Sequence, residues 1–154
     1  MKISLIVYDF DGVMTNNKVL VMQNGQEAIF CNRDDGWAVR KIKDMGITQL
    51  ILSSEENSVV VSRALKLSIQ CISGCSNKEK RLRQFCRDEN ILLAETIFVG
   101  NGLNDLDVMK IVGMPVAPAN ANPEVLKIAK FITKAKGGEG IILELYKWLT
   151  ENKL

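Results

Sequence analysis

Two rhythms of apolar residues alternate along the chain. Short runs rich in Ile, Val and Leu at residues 3–8, 47–52 and 96–99 predict buried strands. Each stops abruptly at polar or glycine residues: Asp9-Phe10-Asp11-Gly12, Ser53-Ser54 and Gly100-Asn101-Gly102. Between them, apolar residues fall three and four apart, the spacing of a helix with one buried face. That pattern predicts helices over 36–45 (Trp37, Val39, Ile42 and Met45, stopped by Gly46), 58–67 and 78–90 (Leu82, Phe85 and Cys86 inward). It predicts three more over 105–111, 123–129 and 141–149. Brief strands at 69–72, 114–116 and 131–132 fill the gaps, and residues 136–140 form a glycine-rich loop.

Strands alternating with helices imply an α/β fold, a Rossmann-like doubly wound parallel sheet covered on both faces. One segment breaks the alternation. Residues 18–22 and 27–32 flank Asn24-Gly25, a strong turn signal for a β-hairpin. At about 18–32 this insertion is too small to be a second domain, so residues 1–154 are expected to form a single domain.

Composition narrows the function. With 47% apolar and 25% charged residues the chain is of ordinary globular make-up. Twenty basic against eighteen acidic residues leave +2 with no basic block, which argues against nucleic acid as a partner. No run approaches the ~18 apolar residues of a membrane span, and the first apolar run has no cleavage site, so a cytoplasmic protein is expected. Cys31, Cys71, Cys75 and Cys86 do not form two tight pairs and are expected to be free thiols. There is no histidine. Serine–histidine–aspartate triads, phosphohistidine chemistry and histidine-ligated zinc are thereby excluded.

In open α/β sheets, ligands collect beyond the carboxyl ends of the strands. The polar residues there are Asp9 and Asp11, Ser53, and Asn101 to Asp105, with Lys78 joining from a helix start. Singly, each has an ordinary structural reading: a turn aspartate, a capping serine or asparagine, a solvated lysine. Together, in this order at one sheet edge, they point to phosphoryl transfer through an aspartate. A carboxylate attacks phosphorus only if a cation neutralises both partners, and Mg²⁺, a hard ion with oxygen ligands, suits that task. Asp9 would attack; Asp11 would protonate the leaving oxygen and later deprotonate water. Ser53 and Lys78 would hold the phosphoryl oxygens.

The set Asp9-Phe10-Asp11-Gly12-Val13-Met14-Thr15, Ser53, Lys78 and Gly100-Asn101-Gly102-Leu103-Asn104-Asp105 resembles the four ordered motifs of the haloacid dehalogenase superfamily. A hairpin in place of a cap domain, Arg33-Asp34-Asp35-Gly36 and Gly137-Gly138-Glu139-Gly140 are similar to its small capless branch. That branch holds 3-deoxy-D-manno-octulosonate 8-phosphate phosphatase, nonulosonate 9-phosphate phosphatases and the phosphatase-like module of N-acylneuraminate cytidylyltransferases. The resemblance implies Mg²⁺ held by Asp9, Asp11 through its carbonyl, Asn101 and Asp105. It implies substrate contacts from Arg33, Ser54, Glu55 and Asn104. It also implies a homotetramer in which hairpins pack together and the tail of one subunit lies near its neighbour's site.

Three positions depart from the octulosonate enzymes. Asn101 stands where they usually carry aspartate, which removes one negative charge from the metal. Ser53-Ser54-Glu55 replaces Thr-Gly-Arg, and a glutamate repels a substrate carboxylate unless a cation intervenes. Leu143 stands where their tail carries arginine. The expected activity is hydrolysis of a sugar-acid phosphate of nonulosonate or octulosonate type. The alternative is a weak or inactive tetramerisation module associated with sialic-acid-type sugar nucleotide synthesis. Asn101 and Gly102 favour the module, whereas the intact Asp9, Asp11, Ser53, Lys78 and Asp105 favour catalysis, since a scaffold needs no nucleophile and acid/base pair.

Overall fold

The computed structural model describes residues 2–154. In chain order the elements are β1 (Leu5–Tyr8), β2 (Leu20–Val21), β3 (Glu27–Ala28), α1 (Arg33–Asp44), β4 (Thr48–Leu52), α2 (Ser58–Leu67) and β5 (Gln70–Ile72). There follow α3 (Lys78–Asp88), β6 (Thr96–Val99), α4 (Leu106–Ile111), β7 (Met114–Ala117), α5 (Pro123–Ile128), β8 (Phe131–Ile132) and α6 (Ile141–Glu151). One six-stranded sheet runs in the order β5-β4-β1-β6-β7-β8, every neighbouring pair parallel. The antiparallel pair β2-β3 is the expected hairpin.

The strand sequences explain the two layers. Side chains alternate across a strand, so Ile6, Tyr8, Ile51, Ile97 and Val99 face α1, α2 and α6, while Leu5, Val7, Leu50, Leu52 and Phe98 face α3, α4 and α5. Both faces are dry, which is why these strands are continuous apolar runs rather than alternating ones. Burial of each such side chain stabilises the fold by roughly 1.5–3 kcal/mol.

Topology positions the site. From β1 the chain winds outward through β4 to β5, then crosses to the other side of β1 as β6. The connections diverge there, and a crevice opens beyond the carboxyl ends of β1, β4 and β6.

Local chemistry shifts some boundaries. The α1 helix starts at Arg33, three residues earlier than the apolar spacing indicates, because Asn32 caps it by accepting from the Asp34 amide at 2.8 Å. The hairpin strands shrink to two residues each. Asn77 caps α3 by accepting from Lys80 N, which puts Lys78 in the first helical position. Residues 103–105 form a 3-10 turn before α4. All four cysteines are free. Among the described residues no helix is long and apolar enough to cross a membrane.

Candidate active site

A cavity of about 530 Å³ opens at the crevice, lined by Asp9, Asp11, Ser53, Ser54, Glu55, Asn101 and Asn104. It also takes in Asn17, Glu56 and Gly102. Most residues singled out in the sequence thus converge on one site, delivered by the ends of three adjacent strands.

Asp9 follows β1 and is buried. Its Oδ1 accepts from the Phe10 amide at 2.8 Å and from Lys78 Nζ at 2.8 Å. Lys78, equally buried, donates also to Asp105 Oδ1 at 2.7 Å. Burial raises the Asp9 pKa, the Asp105 charge raises it further, and the Lys78 ammonium opposes both. Burial alone would lower the Lys78 pKa, but its two carboxylates outweigh that and hold it above its ordinary value. Two carboxyl groups thus share one ammonium in this buried cluster.

Asp11 is half-buried. Its Oδ1 accepts from Thr15 Oγ1 at 3.2 Å. Burial raises its pKa, the Thr15 bond lowers it, and the Glu55 charge raises it again. A carboxyl that holds its proton more tightly than usual suits proton donation near neutral pH. Thr15 Oγ1 also accepts from the amides of Gly12 at 3.2 Å and Asn17 at 3.1 Å, so one hydroxyl organises the loop that carries Asp11.

Ser53 follows β4, is buried, and accepts the Glu55 amide at 3.1 Å, leaving its hydroxyl proton to turn toward the cavity. Asn104 Nδ2 reaches Ser54 Oγ at 3.4 Å across the mouth. Glu55 and Glu56 stand exposed on the rim.

The oxygen geometry fits a cation. One terminal amide atom of Asn101 lies 2.9 Å from the Asp11 carbonyl oxygen and 3.3 Å from Asp9 Oδ2. As the nitrogen, it donates to both. As the oxygen, three acceptors face one another, a cluster that a positive ion would relieve. Adjacent oxygens around a six-coordinate Mg²⁺ at ~2.1 Å stand about 3.0 Å apart, close to these separations. Gly12 permits the approach: a Cβ there would lie 2.1 Å from the Asn101 amide.

Two expected residues stand elsewhere. Asp105 is not among the converging oxygens; its Oδ2 accepts from the amides of Asn101 at 2.9 Å and Gly102 at 3.0 Å, while Oδ1 holds Lys78. It anchors the Asn101–Gly102 loop. Arg33 lies outside the cavity, in a cleft between α1 and α2 with Arg40, Lys43, Arg63 and Lys66. Two residues lining the cavity were not foreseen. Asn17, with left-handed backbone at φ 63°, carried its signal in the Thr15-Asn16-Asn17 turn chemistry. Glu56 gave no signal beyond adjacency to Ser53-Ser54-Glu55, and Thr15, quoted within the first motif, had no role assigned to it.

A family model of haloacid dehalogenase-like hydrolases matches residues 38–145. The 3-deoxy-D-manno-octulosonate 8-phosphate phosphatase of Escherichia coli K12 is 30% identical over 144 residues, covering 93% of this chain and 77% of that protein. Among solved structures, a Streptomyces avermitilis protein assigned to the HAD hydrolase family is 39% identical with a TM-score of 0.94, over 96% of this chain and 84% of that one. The octulosonate 8-phosphate phosphatase of Yersinia pestis is 28% identical with a TM-score of 0.94, over 98% and 83%. These similarities make this protein a phosphomonoester hydrolase. The chain belongs to the haloacid dehalogenase-like hydrolases.

Proposed function

We propose that the protein is a Mg²⁺-dependent phosphatase acting on a sugar-acid phosphate of nonulosonate or octulosonate type, through an aspartyl-phosphate on Asp9. The carrying observation is the Asp9 carboxylate: Lys78 and the Phe10 amide fix one oxygen, and the other faces Asp11 and Asn101 at the cavity. An inactive module has no use for this arrangement.

Asp9, the Asp11 carbonyl and Asn101 are the residues to hold Mg²⁺. The ion supplies neutralisation of the like charges on Asp9 and the phosphoryl oxygens. Asp9 forms the bond to phosphorus as the ester P–O bond breaks, and Asp11 gives its proton to the departing sugar oxygen. Asp11 then takes a proton from the water that attacks phosphorus, which releases phosphate and frees Asp9. Ser53 donates to a phosphoryl oxygen. Lys78, held between Asp9 and Asp105, orients the nucleophile and offsets charge beside the phosphoryl group.

The similarity to octulosonate phosphatases supports a sugar-acid substrate, but Glu55 and Glu56 give this cavity an acidic rim. A substrate carboxylate needs cations. Arg33, Arg40, Lys43, Arg63 and Lys66 make no ion pair among the described residues, yet they line a separate cleft. In the homotetramer we propose, the tail of one subunit lies near its neighbour's site, as the resemblance implies.

Phosphate release from an aryl phosphate and from nonulosonate and octulosonate phosphates, with and without Mg²⁺, tests this reading. Asp9→Asn is expected to lower turnover by several orders of magnitude while the fold persists. Asp9→Asn activity within tenfold of wild type would sink the covalent mechanism.

A further inference from the structure

The α6 helix begins without a cap of its own. Gly140, at its amino end, has φ 99° and no side chain to accept the first amides. The acceptor comes from the far end of the chain instead. Asp35, in the first turn of α1 and buried, takes the Ile142 amide at 2.9 Å and the Leu143 amide at 3.1 Å on its Oδ1. A carboxylate there meets both the unpaired N–H groups and the positive end of the helix.

What precedes α6 reaches the catalytic loop. The Gly138 amide donates to the Val13 carbonyl at 3.0 Å. The packing is tight enough to demand glycine. A Cβ on Gly137 would lie 2.2 Å from the Gly12 carbonyl oxygen, and one on Gly138 would lie 2.6 Å from the Asn16 nitrogen. The segment thus clasped, Gly12 to Asn16, includes Thr15, whose hydroxyl bonds Asp11. The first turn of α1 closes the circuit, since Cys31, just ahead of it, bridges Thr15 in an antiparallel pairing.

We propose that Asp35 is a positioning residue for turnover: by capping α6 it holds the 137–140 loop against Gly12–Asn16 and so fixes the Asp11 carboxyl. This rests on the acid/base reading of Asp11 above. Asp35 touches neither substrate nor metal ligands. It acts through one helix end and one closely packed glycine loop, so a shift at α6 is passed on to Gly12–Asn16.

Asp35→Ala and Asp35→Asn test it, each by steady-state kinetics and by amide hydrogen exchange without substrate. In Asp35→Ala, protection is expected to fall at Ile142 and Leu143 and, beyond them, at Gly138, Gly12 and Asn17. Its kcat is expected to drop about tenfold or more with KM within twofold, since a misplaced acid/base group slows chemistry rather than binding. Asp35→Asn keeps an acceptor oxygen and is expected to recover most of both. Should Asp35→Ala not fold, Gly140→Ala serves. Its Cβ meets nothing within 4 Å but strains the left-handed backbone, loosening the entry to α6 with Asp35 intact. Exchange confined to Ile142 and Leu143, or an unchanged kcat beside a lowered Tm, overturns the proposal and leaves Asp35 a cap alone. Absence of turnover in the wild type refutes the acid/base reading instead, and exchange at Gly12 and Asn17 still decides the mechanical link.

Discussion

In the metal site proposed above, Asn101 sets how much negative charge surrounds the ion. Its amide sits against Asp9 Oδ2 and the Asp11 carbonyl and can face them with either end. With the nitrogen inward it bonds both oxygens, so the metal-free site satisfies itself without a cation. A carboxylate cannot do this. Asn101→Asp is therefore expected to destabilise the metal-free protein, because a new charge faces Asp9, and to tighten Mg²⁺ by ~1 kcal/mol or more. Melting curves across a Mg²⁺ titration would show a lower starting Tm, a larger rise and a half-saturating concentration reduced severalfold. Equal titrations of the two proteins would mean that Asn101 is no ligand. The rate need not improve, since tighter ground-state binding does not stabilise the transition state.

At the scale of elements, the junction of α1 with α6 depends on one buried carboxyl. Burial pushes the Asp35 pKa up to about 6, against the Leu143 and Ile142 amides and Arg63 on α2, which lower it, while Asp34 raises it. Its second oxygen is buried without a partner. Tyr8 on β1 faces the same region, its phenol driven up by burial and by the Asp35 charge. The raised pKa means that the folded protein keeps a proton that the unfolded chain has released between about pH 4 and 6. Stability from this group is accordingly full at the acid end of that window and lost as pH rises through it. Urea unfolding is expected to show wild type losing of order 1–3 kcal/mol relative to Asp35→Asn between pH 4 and 6.5, with no further divergence above. A constant difference across that range would contradict the buried titration.

For the whole molecule, the exposed tip of the hairpin is a part the core does not need. Val19, Leu20, Val21, Met22 and Phe30 are 51%, 57%, 62%, 44% and 74% exposed, a concentration of apolar surface on a two-stranded ribbon that is marginal by itself. In the proposed tetramer these side chains pack together. Leu20→Glu combined with Val21→Glu is expected to give a smaller species by light scattering, with the Tm of the sheet domain little changed, because neither side chain touches the buried core. A variant that remains tetrameric would move the interface elsewhere.

Much of this was legible in the chain itself. Apolar runs fix strands because a strand covered on both faces has no polar side, so β1, β4 and β6 and the polar residues that end them could be read directly. That pattern alone brings Asp9, Asp11, Ser53 and Asn101 to one edge of the sheet. Boundaries set by side-chain capping were less visible: Asn32 looked like hairpin and proved to be the start of α1. What only the tertiary structure decided is how each charge is paired. Lys78 and Asp105 are 27 positions apart and Asp35 and Ile142 107 apart, and no local pattern records such partners, because long-range hydrogen bonds depend on where whole elements dock. The same holds for Arg33, which the resemblance groups with the site but which lies in another cleft in space. Residue types determine which chemistry is available; packing determines which atoms meet.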